Sequence, residues 1–144
     1  MQVIKQEHDT DCGIFCCAML SNSEPSDAKK ELITLKKWPA KRKNLRTSAT
    51  DLSNLLRELG VTCQKARFKS WDLITKPAIV GIDEGFENKY HWIVAVPWGN
   101  KMMIVDPEYG EVYYLENYPD EYHPRKNKDI VICDIVINEF TIRP

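Results

Sequence analysis

No apolar stretch in this sequence approaches the roughly 20 residues that a membrane-spanning helix needs, so no membrane span is expected. Charge of one sign is lacking too: 20 Lys and Arg stand against 21 Asp and Glu, leaving −1 at pH 7. Without a global field to attract polyanions, neither nucleic acid nor an anionic lipid surface is expected as a partner. The opening residues carry no signal-peptide core, because Lys5, Glu7, His8 and Asp9 follow Met1 closely. A cytoplasmic chain is expected, with specialised secretion as an effector still open.

A paired cysteine framework is missing as well. Five Cys is an odd number, with Cys12, Cys16 and Cys17 clustered and Cys63 and Cys133 far away. A disulfide scaffold uses an even, dispersed set in a secreted chain. Free thiols in a reducing compartment are predicted, most of them acting as small buried apolar groups. There is no internal repeat and no low-complexity segment. What remains is 144 residues, 43% apolar and 28% charged, which suits one compact domain over 1–144 with a real core.

The first half reads helical. Cys12 to Leu20 is apolar almost all round, as for a short buried helix, with Asp11 as its N-cap. Ser26 to Lys36 reads as a second helix capped by Ser26, with Leu32, Ile33 and Leu35 as its stripe. The run Lys41, Arg42, Lys43 reads as a solvated loop. Ser48-x-x-Asp51 resembles a capping box opening a third helix, whose face is Leu52, Leu55, Leu56 and Leu59 and whose stop is Gly60. Beyond Gly60 the period changes to that of strands. They are expected at 61–68, 78–82, 91–96, 102–105, 111–115 and 130–137, separated by Gly and Pro turns, Gly85 among them. Helices first and strands second, without alternation, predict an α+β fold with a mostly antiparallel sheet.

A nucleophilic thiol needs a stabilised thiolate, a base, and donors for the oxyanion. Cys12 opens a predicted helix, where free N–H groups and the dipole favour negative charge. Gly13 beside it removes a side chain from the approach. His91 opens the strand His91-Trp-Ile-Val-Ala-Val. If Trp98-Gly99 is the turn of a hairpin with Lys101–Val105, His91 faces Asp106 directly, and the carboxylate can orient the imidazole. Cys16 and the tyrosines 109, 113, 114, 118 and 122 read first as packing groups, with a resolving thiol the alternative for Cys16 and a substrate groove that for the tyrosines. Specificity is assigned to the surroundings of Trp92, the 83–90 loop and the 36–47 segment.

In this order the residues resemble the papain-like C39 peptidase family, which includes bacterial domains that cut double-glycine leader peptides. The matching segments are Gln6-Glu-His-Asp-Thr-Asp-Cys-Gly-Ile-Phe-Cys, Pro77-Ala-Ile-Val, His91-Trp-Ile-Val-Ala-Val, and Ile104-Val-Asp106-Pro107 with Gly110. The resemblance implies a papain-like fold with the nucleophile at a helix start. It implies a catalytic set of Cys12, His91, Asp106 and Gln6, with Gln6 and the Cys12 N–H as the oxyanion hole. A protein or peptide substrate is implied, with no cofactor or metal, and an inhibitor or immunity protein as partner if the chain is a toxin. Residues 21–47 match nothing in the pattern, and 118–144 run beyond it. No membrane-spanning or ATP-binding segment follows, so the peptidase domain of an exporter is not the expected setting.

Three readings stay open. The first is a thiol hydrolase of peptide or amide bonds, within which deamidation or transglutamination uses the same chemistry. The second is a non-catalytic relative that binds a partner. The third is a zinc protein using His8, Cys12, Cys16 and Cys17, although Cys16 and Cys17 diverge by about 100° on a helix.

Overall fold

The helical first half follows from its local signals. A computed structural model describes residues 1–83 and 90–144. The turn expected at Gly85 and most of the 83–90 loop lie outside the described residues. Helix α1 (Cys12–Ser21) is buried from Cys12 to Leu20 and stops at Asn22 in the left-handed region, φ 56°. Asp11 precedes it but does not cap it. Its carboxylate turns back to accept the His8 N–H at 3.1 and 3.2 Å. Helix α2 (Pro25–Lys36) begins ahead of the expected Ser26 cap, because Pro25 is pre-set for the first helical position and Glu24 takes the cap. It buries Ala28 and Leu32.

Helix α3 (Ala49–Glu58) opens on the expected capping box. Ser48 Oγ accepts from the Asp51 N–H at 3.1 Å, and Asp51 Oδ2 accepts from the Ser48 N–H at 3.0 Å. The shorter Asp thus replaces Glu without losing either bond. Leu52, Leu55 and Leu56 are fully buried, and Gly60 leaves the helix with φ +88°. Among the described residues, no helix is long and apolar enough to cross a membrane.

The strands are β1 (Gln2–Val3), β2 (Cys63–Arg67), β3 (Ala78–Asp83), β4 (Tyr90–Trp98), β5 (Lys101–Asp106), β6 (Glu111–Tyr114), β7 (His123–Pro124), β8 (Asp129–Cys133) and β9 (Thr141–Ile142). The main sheet runs β2-β8-β3-β4-β5-β6 with β7 added to β3, and every pair in it is antiparallel. This is the α+β architecture that the order of elements predicts. The last long strand is shorter than expected, ending at Cys133 instead of 137. Beyond it the chain returns to pair β9 in parallel with β1, just ahead of Gln6.

The sheet is covered on both faces. On one, α1 and α3 pack on Ile79, Trp92, Val94, Val96, Met103, Val105 and Val131, with α2 laid against α1 and α3. On the other, Phe68, Ile74 and Tyr118 close over Val80, Ile82, Ile93, Ala95, Ile104 and Ile130. Central strands buried on two sides need apolar residues at successive positions, which is why β3 and β4 read as unbroken apolar runs.

The β4–β5 hairpin corrects the expected register. Trp98 pairs with Lys101 and Ala95 with Ile104, so the turn is Gly99-Asn100 and the pairing is displaced by two residues. Gly99, at φ +62°, supplies the left-handed conformation that tight hairpin turns require. A shift of two preserves parity. His91 and Asp106 therefore stay on one face, set diagonally rather than directly opposite.

Candidate active site

Cys12 is the first residue of α1, where backbone N–H groups lack helical partners and the dipole favours negative charge. The residue is 8% exposed, and Sγ accepts from the Trp92 N–H at 3.5 Å. This contact exists because α1 packs on β4 through Gly13. An added Cβ there would stand 2.2 Å from Thr47 Oγ1, 2.8 Å from Leu52 Cδ2 and 3.2 Å from Trp92 Cδ1. Gly13 thus serves close packing of the helix start against the sheet, not substrate approach.

His91 Nε2 bonds to Asp106 Oδ1 at 2.5 Å, which leaves Nδ1 as the ring nitrogen open to the Cys12 sulfur. Burial opposes the charged imidazole, but the hydrogen bonds to Asp106 and Cys12 outweigh it and push the His91 pKa up to about 10. At neutral pH the ring therefore carries its second proton, with the Cys12 sulfur on one side and the Asp106 carboxyl on the other.

Asp106 is fully buried and has three donors. Oδ1 accepts from His91 and from the Glu108 N–H at 2.9 Å, while Oδ2 accepts from the Tyr118 hydroxyl at 2.6 Å. Its carbonyl closes the Asp-Pro-x-x-Gly turn by accepting from the N–H groups of Tyr109 and Gly110 at 3.2 and 2.9 Å. Gly110 sits at φ +64°, and Lys5 Cα and N lie 3.1 and 3.2 Å from where its Cβ would be. That close approach seats the N-terminal segment: the Gln6 N–H donates to the Pro107 carbonyl at 2.7 Å. One turn therefore holds both Asp106 and Gln6.

The Gln6 side chain donates through Nε2 to the His8 carbonyl at 2.7 Å, and Oε1 is buried without a hydrogen-bond partner among the described residues. An amide nitrogen carries two protons, so one remains for a further acceptor. Gln6, His8, Arg46, Tyr90, His91 and Glu108 line a common polar cleft of about 400 Å³. A larger groove of about 600 Å³, around Trp71, Ile74, Met102 and Leu115, is lined by no cysteine or histidine.

The structure thus brings Cys12, His91 and Asp106 together and sets Gln6 on the cleft that His91 lines. Trp92, expected beside the substrate, is instead turned inward, 6% exposed, with Nε1 donating to the Thr47 carbonyl at 3.1 Å. Tyr118, a packing residue by its sequence setting, is instead a hydrogen-bond donor to Asp106. A lone Tyr after a short strand has no sequence signal for such a contact. The zinc reading loses its geometry. Cys16 Sγ donates to the Trp92 carbonyl at 3.5 Å and Cys17 Sγ to that of Leu52 at 3.7 Å, in different directions. Burial also pushes the thiols of Cys16, Cys17, Cys63 and Cys133 up, Cys133 to about 12.

A thiol at a helix start, set against a strand-borne imidazole and carboxylate on an antiparallel sheet, is the arrangement of papain-like cysteine peptidases. Residues 1–118 match the model of the peptidase C39 family, and the chain belongs to that family. The match runs through residues 21–47, which had no counterpart in the sequence pattern, and ends at Tyr118. Among solved structures the chain is similar to a double glycine motif protease from an AMS/PCAT transporter, determined in complex with the leader peptide. The two are 20% identical with a TM-score of 0.56, over 91% of this chain and 89% of that one. At that identity the likeness concerns the fold. No curated protein matches the sequence.

Proposed function

We propose that this chain is a cysteine hydrolase that cleaves a peptide or amide bond through an acyl-enzyme, with Cys12 as nucleophile. The observation that carries the reading is the placement of the Cys12 sulfur on β4, accepting from the Trp92 N–H next to His91, whose ring bonds to the buried Asp106. A cation beside Sγ and the helix start behind it both attract the negative charge that attack requires. Sγ adds to the substrate carbonyl. The oxyanion is held by the Cys12 N–H and the remaining Gln6 amide proton. His91 then gives its proton to the leaving nitrogen. Neutral again, it activates the water that releases the acyl group. Asp106 keeps the ring in the orientation that presents Nδ1 to sulfur.

The leader peptide held by the solved relative favours a peptide substrate here, and family membership favours peptidase over other acyl transfer. A glutamine side chain would be attacked in the same way, so substrate screens include deamidation. Five cysteines without a disulfide support a reducing, cytoplasmic setting.

The test is the pH dependence of alkylation at each Cys, mapped by peptide mass, in wild type and His91→Ala. The expected result is labelling of Cys12 below pH 7 at least about 10-fold faster than of Cys63, lost in the variant. If Cys12 reacts no faster than Cys63, or ignores the loss of His91, the catalytic reading fails and a non-catalytic binding role replaces it.

A further inference from the structure

Away from the cleft, Cys63 of β2 and Cys133 of β8 are direct cross-strand partners. Their kind of pair is decided by the hydrogen bonds on either side. The Asp134 N–H donates to the Thr62 carbonyl at 2.8 Å and the Phe68 N–H to the Lys128 carbonyl at 2.9 Å, so the even-numbered residues of this stretch form the hydrogen-bonded pairs. Cys63 and Cys133 fall between them, and the Cys133 N–H points the other way, to the Pro77 carbonyl at 2.8 Å. A non-hydrogen-bonded antiparallel pair has Cα atoms about 4.5 Å apart, inside the range of a disulfide of about 4.4–6.8 Å. Directly opposed side chains leave the same face, and both belong to the core beneath α3.

We propose that Cys63 and Cys133 form an oxidisable dithiol, a covalent modification site separate from Cys12, that closes to a cross-strand disulfide with a hydroperoxide. Both thiols are free in this structure. Cys63 is the entry point because it is only half-buried on an edge strand, whereas Cys133 is fully buried. Arg57 also attracts charge to the Cys63 sulfur, partly offsetting its burial. In the first step Cys63 sulfur takes an oxygen from the peroxide and becomes a sulfenic acid, while the peroxide leaves as water or alcohol. In the second, Cys133 sulfur displaces the hydroxyl, which departs as a second water with the Cys133 proton. Two thiols are oxidised and one peroxide is reduced. The bond ties the edge strand to β8, ahead of the return to β9 and β1.

The test uses the full chain with Cys12→Ser, which removes the thiol beside His91 and keeps the outcome independent of any catalytic role, alongside wild type. After hydrogen peroxide, remaining thiols are blocked in denaturant and the chain is mapped without reductant. The expected result is the loss of two free thiols, a linked peptide pair containing Cys63 and Cys133, and full recovery with dithiothreitol. Cys63→Ser should show no link. A sulfinate at Cys63 beside an unmodified Cys133, a bond from Cys133 to Cys17, or no loss of thiols would overturn the proposal.

Discussion

Replacing Gly13 by alanine tests the account of how α1 is held against the sheet. A Cβ at this position would meet Thr47 Oγ1 at 2.2 Å and Leu52 Cδ2 at 2.8 Å, both inside the closest approach of real side chains. Leu52 is fully buried and Thr47 nearly so, which leaves little room for either to withdraw. Overpacking of this kind costs about 2–3 kcal/mol, and the better helix propensity of alanine returns about 0.5–1. The expected net loss is about 1–2.5 kcal/mol, a fall of roughly 5 °C in Tm for a chain of this size. Thr47 Oγ1 is buried with no hydrogen-bond partner among the described residues, so Thr47→Ala removes the worst clash without breaking a described bond. Denaturant unfolding of both single variants and the double variant should therefore show a favourable coupling of about 1 kcal/mol. Because the same contact sets Cys12 beneath the Trp92 N–H, Gly13→Ala should also slow alkylation of Cys12. A variant as stable as wild type, or strictly additive effects, would refute the reasoning.

Two further outcomes follow from the charges at the site. The His91 pKa is raised above that of an unfolded His, so its stabilising contribution is fully present below about pH 6.5 and is lost as pH rises to about 10. At about 1.4 kcal/mol per unit the loss is on the order of 4–5 kcal/mol. Denaturant unfolding from pH 6 to 10 should show a steeper decline for wild type than for His91→Gln, and parallel profiles would contradict the assignment. Tyr118→Phe deletes the hydroxyl donor to buried Asp106 Oδ2 and should cost about 1–3 kcal/mol. The same change in an Asp106→Asn background should cost clearly less, and equal costs would mean that the two groups do not interact.

Much of this molecule was determined locally. The apolar run after Cys12, the Ser48–Asp51 box and the stripe of Leu52, Leu55 and Leu56 form helices because caps and 3.6-residue spacing act within one or two turns. The change of period after Gly60 likewise settled the class of fold. Cys12 at a helix start, His91 on a strand and Asp106 before a Pro-x-x-Gly turn were legible as chemistry, since each type of residue stands in a local setting suited to its role. Tertiary structure decided the rest. The hairpin register depends on which residues tolerate left-handed backbone, and Gly99-Asn100 took the turn from Trp98-Gly99. The closeness of Cys12 to His91 depends on packing at Gly13. The third donor of Asp106 comes from Tyr118, 12 residues along the chain and across a bend. The pairing of Cys63 with Cys133 joins strands that are 70 positions apart in sequence. Such contacts are set by the shape of the whole core, and no local pattern carries them.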